Sequence, residues 1–231
     1  MINFAGENWA ALFIDSASTF GLVVFAISGA LAAGRYKMDP VGFVVLGAVT
    51  AIGGGTMRSL LLDEPVSWVV DPNLLLFVVL VSLLTYFFIP GRTARWKAMT
   101  WFDALGLAAF SVTGAQATLS AGAGWQIAIA MGVVTATGGG VIRDVLCNQQ
   151  PFVLRGELYA STALAGAGIF VSLVALAFTT PTAMICGFVT TLVLRGSAII
   201  YGIELGEPGE WFHTTKKRAA KTASAKNDNQ T

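Results

Sequence analysis

Two arginines follow two glycine triplets at one fixed spacing, in Gly53-Gly54-Gly55-Thr56-Met57-Arg58 and in Gly138-Gly139-Gly140-Val141-Ile142-Arg143. Both copies lie in long apolar stretches, where an ionisable side chain in or beside a membrane span marks a functional site by default. Each glycine costs a helix interior about 1 kcal/mol relative to alanine, so the repetition asks for a physical cause. Either the glycines let helices approach closely, as small residues do in membranes, or the helices break and present backbone groups to a wet, protein-lined path. The repetition and the arginines together favour the second reading, with Gly53, Gly54, Gly55, Gly138, Gly139 and Gly140 as the points where the helices break.

The chemistry such a path supplies is ion coordination. Ser28, Thr50, Thr56, Thr113, Thr135 and Thr137 flank the triplets, and hydroxyls with freed carbonyls can replace part of a cation's hydration shell. Any one of them can equally bond its own backbone or a neighbouring helix; as a set, with Arg58 and Arg143, they are the candidate pore or gate residues. Asp103 either attracts cations or caps its helix. Arg195 reads first as a structural partner of a carbonyl or of Glu204, since a single arginine makes a poor voltage sensor. His213 stands alone, and Cys147 and Cys186 lack metal-ligand spacing, so neither a metal site, a cofactor nor an enzyme active site is expected.

The elements that position these residues are membrane spans. The chain has 231 residues, 55% hydrophobic and 12% charged, with a mean hydropathy of +0.71, which indicates an integral membrane protein. A net charge of +1 gives no nucleic-acid footprint. No cleavable signal peptide is expected, because no basic segment precedes the first apolar residues. Apolar runs predict spans at 16–33, 41–62, 74–89, 102–119, 125–146, 158–178 and 182–203, with Asp39-Pro40 starting the second and Trp68, Trp96 and Trp101 at interfacial positions. Residues 1–206 form the membrane domain, and 207–231 read as a basic, disordered tail.

A shift of 85 superposes Gly21 on Gly106, Phe25 on Phe110, Gly29 on Gly114, each triplet on its counterpart and Arg58 on Arg143. The expected architecture is therefore all-α: two three-helix repeats, at about 16–89 and 102–178, plus a seventh helix. An odd number of spans per repeat makes the copies inverted. With the N-terminus outside, Arg35, Lys37, Arg92, Arg95, Lys97, Arg143, Arg155 and the basic tail all fall on the cytoplasmic side. Arg58 is the exception at an outer span end, where it snorkels to headgroups, pairs with Asp63 or Glu64, or lines a vestibule.

The paired triplets with trailing arginines, in two three-span repeats followed by a seventh span, resemble the TRIC family of trimeric intracellular cation channels. The short chain resembles its prokaryotic branch, sometimes labelled a glycine transporter. The resemblance covers about 16–203. It implies a homotrimer in a prokaryotic inner membrane, bathed by membrane lipid, with a hydrophilic pore in each protomer. That pore would pass monovalent cations, potassium physiologically, through the six-span core, with the second and fifth spans kinked at the triplets. The phosphoinositide gating of animal members is not carried over. Set against a passive channel is a secondary transporter of a small zwitterion such as glycine, for which an arginine near a broken helix would hold the carboxylate. An assembly subunit, with triplets serving only packing, is the remaining alternative.

Overall fold

The computed structural model describes residues 4–88, 92–155 and 158–203, and all regular structure among them is helical. Seven long helices correspond to the seven predicted spans: α1 (Phe4–Arg35), α2 (Pro40–Leu61), α4 (Pro72–Phe87), α5 (Arg92–Ser120), α6 (Trp125–Leu146), α7 (Ala160–Ala175) and α8 (Thr180–Tyr201). A single turn, α3 (Ser67–Val70), bridges α2 and α4, and a 3-10 turn at Phe152–Leu154 bridges α6 and α7. Four helices, α1, α2, α6 and α8, are each long and apolar enough to cross a membrane. The tail, Glu204 and the Pro90-Gly91 breaker lie outside the described residues.

Two boundaries differ from the sequence expectation. α1 begins at Phe4 rather than at 16, and α5 begins at Arg92 rather than at 102. At 1.5 Å per residue α5 is about 44 Å long, well beyond a hydrocarbon core of about 30 Å. Its first turns, carrying Trp96 and Lys97, are thus an interfacial extension of the span rather than a loop.

Aspartates start two of the helices as their Pro partners require. Asp39 accepts from the Gly42 amide at 2.8 Å ahead of Pro40, and Asp71 accepts from the Asn73 amide at 3.0 Å ahead of Pro72. Both satisfy amides that a helix N-terminus leaves open.

Each repeat is a triangle of mutually packed helices, α1 with α2 and α4, and α5 with α6 and α7; α8 lies against α7 and α5. The triangles join through α1 on α5 and α2 on α6. Contacts across this join are reciprocal. Phe25 covers Gly106 while Phe110 covers Gly21, and the two rings meet edge to face at 5.2 Å. Gly54 faces the Thr135 carbonyl while Gly139 faces the Thr50 carbonyl. Every such pair obeys the shift of 85, so the repeats are related by a pseudo-two-fold axis; with three spans each, they are inverted in the membrane.

The repeat extends to the helix ends. Lys37 and Gly122 are left-handed at φ 55° and 82° after α1 and α5, as are Asp63 and Asn148 at 54° and 51° after α2 and α6. The amide that follows closes the same bond each time: Met38 to Ala33 and Ala123 to Thr118, both 3.2 Å, and Glu64 to Ser59 and Gln149 to Asp144, both 2.8 Å. This is the Schellman closure of orphan carbonyls.

The glycine triplets correct an expectation. α2 is helical throughout 53–55 and α6 throughout 138–140, so the break that would free backbone groups does not occur. The triplets instead form the crossing of α2 and α6: Gly53 approaches the Gly139 Cα, Gly138 approaches the Gly54 Cα, and a Cβ at Gly54 or Gly139 would enter the facing carbonyl. Close backbone approach in an apolar medium is what small residues permit.

Candidate permeation site

The candidate residues separate into two polar sites, one on each side of the glycine crossing. The first is a cavity of about 490 Å³ at the end of the bundle where α2 finishes. α1 contributes Asp15, Ser18 and Thr19, α2 contributes Thr56 and Arg58, and α5 contributes Thr113, Gln116 and Ser120. Ser67, Trp68 and Asp71 of the connector wall its mouth, and the lining ends at Ala51, Phe110 and Thr135, beside the crossing.

Within that cavity the hydroxyls are partly committed. Thr56 donates to the Ile52 carbonyl at 2.8 Å and accepts from the Trp68 indole at 3.0 Å. Thr113 donates to Ala109 at 3.0 Å and Thr135 to Met131 at 2.6 Å. Each oxygen retains a lone pair, so these threonines line the space as acceptors. Arg58 is partly buried there, forms no ion pair among the described residues, and has an Nε without a partner. Pairing with Asp63 or Glu64 is therefore not observed.

The second site is a packed ionic cluster at the end where α6 finishes. Arg143, fully buried, donates from Nη1 to Asp103 Oδ1 at 2.6 Å and to Ser28 Oγ at 2.9 Å, and from Nε to Asp144 Oδ1 at 2.9 Å. Asp144 Oδ2 accepts from the Phe152 amide at 3.2 Å, tying the α6–α7 turn to the cluster. The Phe152 ring is met by three guanidinium groups, Arg155 at 4.5 Å, Arg195 at 5.5 Å and Arg143 at 5.6 Å. Arg195 also donates to the Leu158 carbonyl at 3.1 Å and lies 5.0 Å from the Tyr159 ring.

Of the residues singled out from sequence, the cavity gathers Arg58, Thr56, Thr113 and Thr135, and the cluster gathers Arg143 and Ser28. Thr50 and Thr137 line neither; they donate to Leu46 at 2.6 Å and Val133 at 2.9 Å within their own helices. Asp103 does not cap α5, which begins eleven residues earlier at Arg92; it lies fully buried at mid-helix as an ion-pair partner. A carbonyl partner for Arg195 is present in Leu158.

Sequence reading missed Tyr159, Phe152, Asp15 and Asp71. A signal for part of this existed. The shift that superposes Arg58 on Arg143 places Ser18 on Asp103 and Ser59 on Asp144, so only the second arginine has carboxylates at the corresponding positions.

A family profile described as glycine transporter matches residues 16–90 and 100–175, which are the two repeats. The TRIC trimeric intracellular cation channel orthologue from Rhodobacter sphaeroides is 44% identical, with a TM-score of 0.79 over 82% of this chain and 98% of that one. The chain belongs to the prokaryotic branch of the TRIC family. A prokaryotic TRIC channel determined in 0.5 M KCl is 29% identical, with a TM-score of 0.78 over 83% of this chain and 98% of that one. The UPF0126 inner membrane protein YadS of Escherichia coli K12 is a further relative, 45% identical over 80% of this chain and 91% of its own length. The TRIC relatives thus share this chain's fold over more than four-fifths of its length.

Proposed function

We propose that the chain is a passive channel for monovalent cations, potassium physiologically, with one pore in each protomer of a homotrimer. The observation that carries this reading is the cavity itself. In a largely apolar protein, hydroxyl, amide and carboxylate groups of α1, α2 and α5 converge on a space that reaches the glycine crossing, and such groups replace water around a cation. The TRIC relatives described as cation channels support the same assignment.

In this reading the path continues from the cavity past Thr135 and the crossing towards Arg143. Arg58 raises the entry barrier to cations, offset by Asp15 and Asp71 in the lining of the same cavity. The cluster of Arg143 with Asp103 and Asp144 obstructs the other half and serves as the gate, with the glycine triplets packing α2 against α6 beside it. The protein sits in a cell inner membrane with the N-terminus and the Arg58 cavity outside and the Arg143 cluster towards the cytoplasm, an orientation supported by the distribution of basic residues.

The test is potassium efflux from liposomes holding the purified protein, with a proton ionophore balancing charge, beside uptake of labelled glycine. Fast, non-saturating potassium flux altered by Arg58→Ala or Arg143→Ala is expected. A second reading, a secondary transporter of a small zwitterion such as glycine, is favoured by one arrangement: Arg58 and the carboxylates Asp15 and Asp71 line the same cavity, matching a carboxylate and an ammonium. Saturable glycine entry without potassium movement would replace the channel reading by this one.

A further inference from the structure

A second cavity, also of about 490 Å³, lies outside the repeat core between the start of α5 and the end of α8. We propose that it binds an anionic phospholipid of the cytoplasmic leaflet, headgroup against Lys97 and the upper acyl chain along α8. One wall is Trp96, Lys97, Thr100 and Trp101 of α5; the other is Ile199 and Ile200 of α8 with Ile203 beyond it.

Depth, charge and shape agree on this occupant. Trp96 and Trp101 are each 39% exposed, and half-exposed indoles sit at headgroup level. Lys97 is exposed and forms no ion pair among the described residues. Two further cations lie outside the lining but against its aromatic residues, Arg35 at 4.4 Å from the Trp96 ring and Arg155 at 4.5 Å from the Phe152 ring. No carboxylate among the described residues lines the groove. Lys97 is thus the cation of the groove lining, with no carboxylate against it, and the α8 side is apolar where an acyl chain would run, with Ile200 65% exposed. Phe152 borders both this groove and the Arg143 cluster, so an occupant would touch the turn that Asp144 holds.

The experiment is native mass spectrometry of the full-length protein in mild detergent, given equal amounts of phosphatidylglycerol and phosphatidylcholine with matched acyl chains. One phosphatidylglycerol per protomer should be retained. Since a basic residue near the surface is worth about fivefold in binding an anionic lipid, Lys97→Gln should reduce the headgroup preference by about that factor. Ile199→Trp, which fills the groove, should remove the bound lipid, whereas Leu164→Trp on the exposed face of α7 should retain it. Equal retention of the two lipids by the wild type, or a preference unchanged in both groove variants, overturns the proposal. So does lipid that appears only when Trp211 and Phe212 are replaced by alanine, which would assign the groove to the chain's own tail. A change in subunit number with Ile199→Trp would assign it to a second copy and overturn the proposal as well.

Discussion

Arg143 Nη1 lies 2.6 Å from Asp103 Oδ1, and the two side chains are 0% and 1% exposed. The residues are forty positions apart on α6 and α5, and a second carboxylate, Asp144, holds the same guanidinium at 2.9 Å. One cation between two buried carboxylates is a local charge arrangement that only mutual proximity makes tolerable.

Removing one member of that cluster should be costly. Arg143→Ala is expected to destabilise the protein by about 3 kcal/mol, because it leaves two buried carboxylates without their cation, and Asp103→Ala should cost less, because Arg143 stays paired with Asp144. The double variant should cost less than the sum, as a coupled pair requires. Arg58→Ala, which breaks no ion pair, should change stability by about 0.5 kcal/mol or less. Denaturant or thermal unfolding in detergent measures all four, and equal losses for Arg58→Ala and Arg143→Ala would contradict the cluster.

The glycines of one triplet should not respond alike. A methyl group at Gly54 meets the Thr135 carbonyl, whereas at Gly55 it meets nothing within 4 Å. Gly54→Ala should therefore separate α2 from α6 and cost about 1–3 kcal/mol, and Gly139→Ala should match it by pseudo-symmetry. Gly55→Ala should gain up to about 1 kcal/mol from helix propensity. The unfolding midpoints of the three variants decide the matter.

Cys147, just beyond α6, is a pH-dependent probe. Burial pushes its thiol above the usual range, Arg143 opposes the shift and Asp144 adds to it. The thiolate is the reactive form, so maleimide labelling in a Cys186→Ala background should be slow at neutral pH. It should still be rising above pH of about 8.5, the ordinary thiol value. A rate that has levelled off by then would show an unperturbed thiol.

The proposed orientation places Val69 outside and Tyr36 inside. Both are exposed, at 60% and 37%. In a background lacking Cys147 and Cys186, Val69→Cys should react with an impermeant reagent added to intact cells, and Tyr36→Cys only in inverted vesicles. The opposite pattern would move the Arg58 cavity to the cytoplasmic side.

Much of this molecule was legible from residue order. The spans, the Asp-Pro helix starts and the shift of 85 are local or periodic properties, and apolar length and glycine position carry them without reference to distant neighbours. The start of α5 was harder to see, because its polar first turns lie outside the apolar window on which span recognition depends; in α1 the apolar run from Trp9 to Ile14 was set aside because Asp15 interrupts it.

Residue order was enough for a seven-span chain of two inverted repeats with an arginine trailing each triplet, because hydropathy, spacing and an odd span count are readable along one dimension. The tertiary structure alone decided that the triplets are a helix crossing rather than helix breaks, since that depends on Thr50 and Thr135 carbonyls of the facing helix. It also decided that the two arginines differ. Arg143 is closed in by Ser28 and Asp103 from other helices, while Arg58 borders an open cavity, and a buried charge is defined by partners that only folding brings within reach.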